Sequence, residues 1–392
     1  MSYNPDNPDN PDNPDNPDNP DNPDNPDNPE NCLPTRSVAT AAIVGLGTIG
    51  SAAATTIARD TRIGRLLLVD HDVVATSNLR SQNVVPADVD RPKADVVSNA
   101  ARAIRPDLEV SAWADRVENV PRGMLRADIL ASCVDSRRAR QSINEVAQFL
   151  RVPWVDAAVD AERTLVRVTV YLPGPAAPCL ECAWSDQDYA LVEQVHPCTG
   201  ELQVPSTAAP AELGQLAGAY AVLEMKRLLA GDLSFAGRQL FVDGNAREMF
   251  VSRFDRNPNC RCDHGPFTIR PFAGPVESTS LHDLLGEDDG ALAVPGHEFV
   301  KELACPRCAV SWTVIPVLQR ELTRQPRCCQ RCGEPGVAVG LSVTPELTRD
   351  PSAFDEPLVH HGLANGDIVR LRRALATGTE TDEYIELGVA HE

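Results

Sequence analysis

Three glycines in six residues, Gly45-Leu46-Gly47-Thr48-Ile49-Gly50, separate an apolar run, Ala41-Ala42-Ile43-Val44, from a helix-forming stretch, Ser51 to Asp60. Strand, glycine turn and helix in that order make an anion site. Glycine lets the backbone approach a phosphate that a Cβ would hold off, and the helix start offers unpaired N–H donors at the positive end of its dipole. Asp70 ends the next apolar run, Leu66-Leu67-Leu68-Val69, where a carboxylate can accept hydrogen bonds from ribose hydroxyls. These features alone suit an NAD(P)-dependent oxidoreductase as well as an ATP-using enzyme. The residues that follow favour ATP. Asn78, Arg80 and Lys93 come after Asp70, and Cys133-Val134-Asp135 closes the run Ile129-Leu130-Ala131 with another carboxylate. A diphosphate is held well by backbone N–H groups, whereas a triphosphate carries more charge and recruits cationic side chains and a metal ion. Asp135 has the position of a Mg2+ ligand facing those phosphates. The oxidoreductase reading leaves Asn78, Arg80, Lys93 and Asp135 without a task.

Bringing these residues together requires strands that end at one edge of a sheet. Pro92 to Ile104 and Arg137 to Leu150 have helical patterns, while Leu108 to Ala112, Asp128 to Ser132 and Val152 to Ala157 read as strands. Strands alternating with helices predict an α/β fold, a Rossmann-like, doubly wound, mainly parallel sheet whose ligands sit at the carboxyl ends of its strands. Gly45, Asp70 and Asp135 all fall at such ends. Thr164 to Leu172 continues as a β-branched strand, Ala211 to Leu229 as a helix, and Arg238 to Phe254 as a hairpin turning at Asp243-Gly244-Asn245.

On the segments GLGTIG, VDHDVVATSNLRSQ, RPKADVV, CVDSRRARQSIN and PCLEC, the chain from about Val38 to Arg261 resembles the ThiF/MoeB/HesA group, relatives of the ubiquitin-activating enzymes. The resemblance implies Mg-ATP-dependent adenylation of the C-terminal carboxylate of a ubiquitin-like or sulfur-carrier protein, or of a peptide. Carried over by matching motif, Asp70 would hold the ribose, Asn78, Arg80 and Lys93 the phosphates, and Asp135 the magnesium. The family usually reads Asn-Leu-x-Arg-Gln, whereas Arg80 here follows Leu79 directly; the retained spacing to Lys93 reads as a one-residue deletion before the arginine. In many members the loop crossing the adenylate carries a cysteine that takes the acyl group as a thioester. Cys198, in His196-Pro197-Cys198-Thr199-Gly200, has that place, and His196 is close enough to lower its pKa. The family's N-terminal helix supplies an arginine to a partner subunit's ATP in a homodimer. Only Asn31 to Thr40 separate the repeat tail from the first strand here, so that helix is missing or its place is taken by Arg36, a departure from the usual two-site homodimer.

Eight of the twelve cysteines fall into close pairs. Cys179 and Cys182, with Cys260 and Cys262 some eighty residues on, can form a closed tetrahedral Zn2+ site, structural because no coordination position stays open. The family places its zinc at these points, but normally with Cys-x-x-Cys in the second pair, so His264 is an alternative to Cys262. Cys305 with Cys308, and Cys329 with Cys332, have zinc-ribbon spacing and predict a second zinc.

A chain of 392 residues, 42% hydrophobic, can bury more than one core. Its net charge of −20 opposes nucleic acid and anionic membranes, and no apolar run approaches the ~20 residues that span a bilayer, so the expected setting is cytoplasmic. Eight Asn-Pro-Asp triplets and one Asn-Pro-Glu occupy Asn4 to Glu30, with proline blocking helix and nothing apolar to bury. The expected organisation is a disordered tail over 1–31, an adenylation domain over 36–265, an irregular link over 266–300, a zinc ribbon over 301–340 and a small β-rich segment over 341–392. Besides the oxidoreductase, a non-catalytic adaptor is an alternative, its zinc ribbon recruiting partners beside a relic nucleotide fold.

Overall fold

The computed structural model of the chain describes residues 38–193, 209–286, 290–340, 342–348, 354–374 and 380–389. The Asn-Pro-Asp repeat, Arg36, His196 and Cys198 lie outside the described residues. Two compact units divide the chain: Met1–Val120 with Leu125–Pro266, and Pro121–Met124 with Phe267–Glu392.

The first unit is built on an eight-stranded sheet. Its opening half alternates β1 (Ala39–Val44), α1 (Thr48–Ile57), β2 (Ile63–Val69), α2 (Lys93–Ile104), β3 (Glu109–Trp113), β4 (Ile129–Ser132), α3 (Arg137–Leu150) and β5 (Trp154–Asp160). The remaining elements are β6 (Leu165–Tyr171), α4 (Asp186–Glu193), α5 (Ala211–Leu228), β7 (Arg238–Asp243) and β8 (Glu248–Arg253). The strand order is β3-β2-β1-β4-β5-β6-β7-β8, parallel from β3 through β5 and antiparallel from β6 onward. The chain therefore winds outward from β1 in one direction to β3 and returns to β1's other side with β4. Between β1 and β4 lies a topological switch point, the place where open α/β sheets bind ligands outside the carboxyl ends of their strands.

The apolar runs explain the winding. Ala41, Ala42, Ile43, Leu66, Leu68, Ile129, Leu130 and Ala131 are fully buried, as strands covered on both faces must be. α1 is equally apolar and packs against α5 at close range: a Cβ on Gly214 would come within 2.2 Å of Thr48 Cγ2. The helix starts three residues earlier than expected, at Thr48 rather than Ser51, because Gly50 is tucked under the turn instead of breaking the helix.

The second unit carries β9 (Ile269–Phe272), α6 (Leu281–Leu285), β10 (Gly290–Ala293), β11 (Phe299–Ala304), β12 (Ser311–Leu318), α7 (Gln319–Arg324), β13 (Val337–Ala338), β14 (Val343–Thr344), β15 (Glu346–Thr348), β16 (Ile368–Ala374) and β17 (Glu380–Leu387). One sheet runs β15-β10-β16-β17-β9, and a second runs β12-β11-β13, with β14 also on β11. Residues 266–300, expected as an irregular link, instead supply β9 and β10 to the five-stranded sheet. Both strands are short and pair with segments more than fifty residues away, Glu346–Thr348, Arg370–Arg373 and Tyr384–Leu387, so no local hairpin signal announces them. No helix among the described residues is long and apolar enough to cross a membrane.

Candidate functional site

At the carboxyl end of β1 the backbone turns through Gly45, whose φ of +85° lies in the left-handed region that favours glycine. A Cβ there would meet Cys133 O at 2.7 Å and Val134 Cγ1 at 2.9 Å, so the turn after β1 presses directly on the turn after β4. A Cβ on Gly50 would stand 1.8 Å from Gly45 O. Gly47 is different. The nearest atom to a Cβ added there is Gln82 Nε2 at 3.9 Å, which leaves a shallow cradle over the start of α1. Gly47 is the N-cap of α1, and no side chain caps the helix. The first N–H groups of that helix thus retain the capacity to bind an anion.

Asp70, at the end of β2, is buried and braces this turn. Its Oδ2 accepts from the Leu46 N–H, and its Oδ1 accepts from the Asp72 N–H at 2.8 Å. Burial pushes its carboxyl above the ordinary value, against the pull of the nearby Lys93 charge. Ionised, the carboxylate has acceptor capacity beyond these two bonds, as a ribose partner requires. Asp72 continues the chain of contacts: its carbonyl accepts from Lys93 N at 2.9 Å and its Oδ2 from Lys93 Nζ at 2.8 Å. Burial would raise the Asp72 carboxyl, but the Lys93 hydrogen bond and charge outweigh it and hold the group below its usual range. Lys93 itself is only 8% exposed, at the first turn of α2. An unbroken sequence of bonds therefore links the glycine turn to a buried ammonium group through Leu46, Asp70 and Asp72.

Asn78 and Arg80 occupy a short 3-10 turn, Thr76–Arg80, between β2 and α2. Asn78 Oδ1 accepts from Ala75 N at 2.9 Å and fixes the turn, while Arg80 is exposed. Asp135 is also exposed, one residue beyond the Val134 that abuts Gly45. The glycine turn and Asp70 are thus bonded through Leu46, Lys93 joins them through Asp72, and Asp135 follows the turn after β4 that presses on Gly45.

Sequence reasoning passed over a buried network beside this point. Asp156, on β5 and fully buried, accepts from Ser132 Oγ at 2.9 Å, Arg140 Nε at 3.0 Å and Arg167 Nη2 at 2.7 Å. Arg140 also donates through Nη2 to the carbonyl of Val134, the residue before Asp135. Burial works to raise the Asp156 carboxyl; the Arg140 and Arg167 charges outweigh it, and its pKa falls below the ordinary value. The signal was available, because Val155-Asp156 repeats the apolar-then-acidic ending of Val69-Asp70 and Val134-Asp135.

The first cysteine cluster gathers as a metal site would, with one substitution. The donor atoms of Cys179, Cys182, Cys260 and His264 all lie within 4.8 Å of one another. Cys179 Sγ and Cys260 Sγ are 3.6 Å apart, close to the roughly 3.8 Å edge of a tetrahedron with 2.3 Å Zn–S bonds and far beyond a disulfide. His264 Nδ1 meets the Gly174 carbonyl at 3.3 Å, which orients Nε2 toward Cys182 Sγ at 3.7 Å. Cys262, expected as the fourth ligand, is instead a hydrogen-bond acceptor for Asn144 Nδ2 at 3.3 Å. Asn144 is fully buried on α3 and also accepts from Leu180 N at 3.1 Å, so it fastens the cysteine loop to that helix. The donor set is compatible with zinc. Cys305, Cys308, Cys329 and Cys332 form a second cluster in the other unit.

Comparison with known proteins agrees with this architecture. "Ubiquitin-like modifier-activating enzyme 5" of Arabidopsis thaliana is 26% identical over 246 residues, covering 57% of this chain and 54% of the relative. "Sulfur carrier protein ThiS adenylyltransferase" of Escherichia coli is 29% identical over 225 residues, covering 56% and 84%. "SAMP-activating enzyme E1" of Haloferax volcanii is 30% identical over 225 residues, covering 56% and 77%. The chain spans about half the length of the plant relative. A model of the ThiF family matches residues 35–263, more than half of the sequence and nearly all of the first unit's described residues, and the chain belongs to that family.

Proposed function

We propose that the chain is an ATP-dependent adenylyltransferase that activates the C-terminal carboxylate of a ubiquitin-like or sulfur-carrier protein, or of a peptide. The observation that carries this reading is the bonded path from the glycine turn through Asp70 and Asp72 to Lys93, with Asp135 one residue from the Gly45 contact. Relatives named as adenylyltransferases and activating enzymes support it. ATP supplies the α-phosphorus at which the carboxylate is activated, with pyrophosphate as leaving group. The cradle at Gly47 and the uncapped start of α1 suit phosphate oxygens. Gly45 and Gly50 keep the turn tight, Asp70 accepts from the ribose, and Asn78, Arg80 and Lys93 contact the phosphates. Asp135 is the residue that would hold Mg2+. A carboxylate and a polyphosphate repel one another, and the cationic side chains lower that repulsion and the charge of the departing pyrophosphate.

Carrier- or peptide-dependent exchange of labelled pyrophosphate into ATP tests the reading. Exchange is expected in the native chain and should fall by about two orders of magnitude or more in Asp135→Ala, the scale on which loss of a single group stabilising developing charge is felt. Undiminished exchange in that variant would remove Asp135 from the site, and binding of NADH in place of ATP would replace the reading with the oxidoreductase one. A second step belongs to the same proposal: the Cys198 thiolate attacks the acyl carbon, a C–S bond forms, the C–O bond to AMP breaks, and AMP leaves. Cys198→Ser should keep pyrophosphate exchange and lose the hydroxylamine-sensitive carrier adduct.

A further inference from the structure

The segment 321–340 holds an ordered backbone with almost nothing to hold it. Among these residues only Cys329 is buried, yet the chain turns, forms β13 and pairs with β11 at Leu303↔Ala338 and Ala304↔Val337. The same stretch repeats a loop seen twenty-four residues earlier. Cys305 N donates to Val310 O at 2.9 Å and Ala309 N to Cys305 O at 2.9 Å; Cys329 N donates to Glu334 O at 2.8 Å and Gly333 N to Cys329 O at 2.8 Å. In both loops the residue after the second cysteine is left-handed, Ala309 at φ +54° and Gly333 at +76°. A non-glycine residue bears that strain only where its surroundings impose it.

The two loops face each other. All four sulfurs lie within 4.8 Å, and Cys305 Sγ to Cys332 Sγ is 3.5 Å, near a tetrahedral Zn–S edge of roughly 3.8 Å and well short of bonding. Cys308 N donates to Cys305 Sγ at 3.2 Å, so the loop backbone fixes the position of that sulfur. Cys308 and Cys332 are half-buried, so an iron held there would be open to oxidation, whereas zinc has no redox chemistry. We propose that Cys305, Cys308, Cys329 and Cys332 bind one Zn2+ in a closed structural site that takes the place of an apolar core for the two cysteine loops, 305–309 and 327–336. The site lies beyond the stretch matched by the ThiF family and is independent of the adenylation reading.

The test is differential alkylation of the zinc-loaded full chain with N-ethylmaleimide, read by peptide mass spectrometry, with exposed Cys328 as internal control. Cys328 should react at once. The four ligands should be protected at least tenfold and lose that protection when a chelator is added. Metal analysis should find one zinc fewer per chain in Cys308→Ser/Cys332→Ser than in the native chain. Co2+ substitution should give intense thiolate charge-transfer bands, and the same double variant should lose the part that belongs to the S4 site while the part from the Cys179, Cys182, Cys260 and His264 cluster remains. Ligand cysteines reacting as fast as Cys328 in the native chain would overturn the proposal, whatever becomes of the variant's folding. So would one bound iron with its visible absorption.

Discussion

Asp156→Ala is expected to destabilise the first unit by about 3–5 kcal/mol, the cost of breaking a buried ion pair by removing one partner. The size follows from what remains. Asp156 is fully buried between Arg140 and Arg167, and alanine would leave two guanidinium groups facing a cavity. Urea denaturation of variant and native chain measures the difference, and a loss below about 0.5 kcal/mol, within the range of an ordinary surface change, would mean the network contributes no net stability. The pH dependence has a definite sign. The folded pKa of Asp156 lies below its ordinary value, so its contribution is fully present above the unfolded value of about 3.9 and is lost as pH falls through the folded one. Asp156→Asn should therefore show a flatter stability profile below about pH 4 than the native chain. Arg140 also holds the Val134 carbonyl, so the same substitutions should loosen the loop that presents Asp135.

The edge of the sheet that carries this site is written in the sequence for a physical reason. A glycine turn after an apolar run, and a carboxylate ending each of the next such runs, are one-dimensional patterns, and in a parallel sheet they all land on one edge. Gly45, Asp70 and Asp135 were legible in that way. The position of Lys93 was legible too, but its partner was not. Nothing local says that its ammonium group reaches Asp72, twenty-one residues back, because the 3-10 turn between them must first fold the chain onto itself. The fourth donor of the first cysteine cluster shows the same limit. Spacing favoured Cys262, while the donor atoms that gather include His264: Asn144 on α3 donates to the Cys262 sulfur, and the Gly174 carbonyl aims the imidazole. The second unit was least legible. Ile269–Phe272 and Gly290–Ala293 are four residues each, set among proline, aspartate and glycine, and they become strands only when β16 and β17 arrive from far along the chain.

Lys93→Ala should lower kcat/KM for ATP in pyrophosphate exchange by on the order of 10²- to 10³-fold, the range for removing one preorganised donor from developing charge. Its value as a test lies in how little else it should disturb. The partner left behind, Asp72, is 51% exposed and can be solvated by water more fully than Arg140 and Arg167, the partners of Asp156, which are 15% and 31% exposed. Stability should therefore change by no more than about 1 kcal/mol, as for other partly exposed pairs. The ammonium has three N–H donors and the Asp72 contact uses one, so Lys93 can keep its anchor while it meets a phosphate. Lys93→Arg separates charge from shape. The guanidinium retains the positive charge but cannot sit in the same buried space at the start of α2, and recovery of less than a tenth of native activity would show that position, not charge alone, is what the site uses. Asp72→Asn adds the converse. If the pair serves only to aim the ammonium, this variant should raise KM for ATP several-fold with kcat nearly kept, whereas a fall in kcat alone would assign Asp72 a part in the chemical step. Lys93→Ala with unchanged exchange kinetics would sever the phosphate assignment from the bonded path that supports it, and the adenylation reading would then rest on family membership without a chemical rationale in this chain.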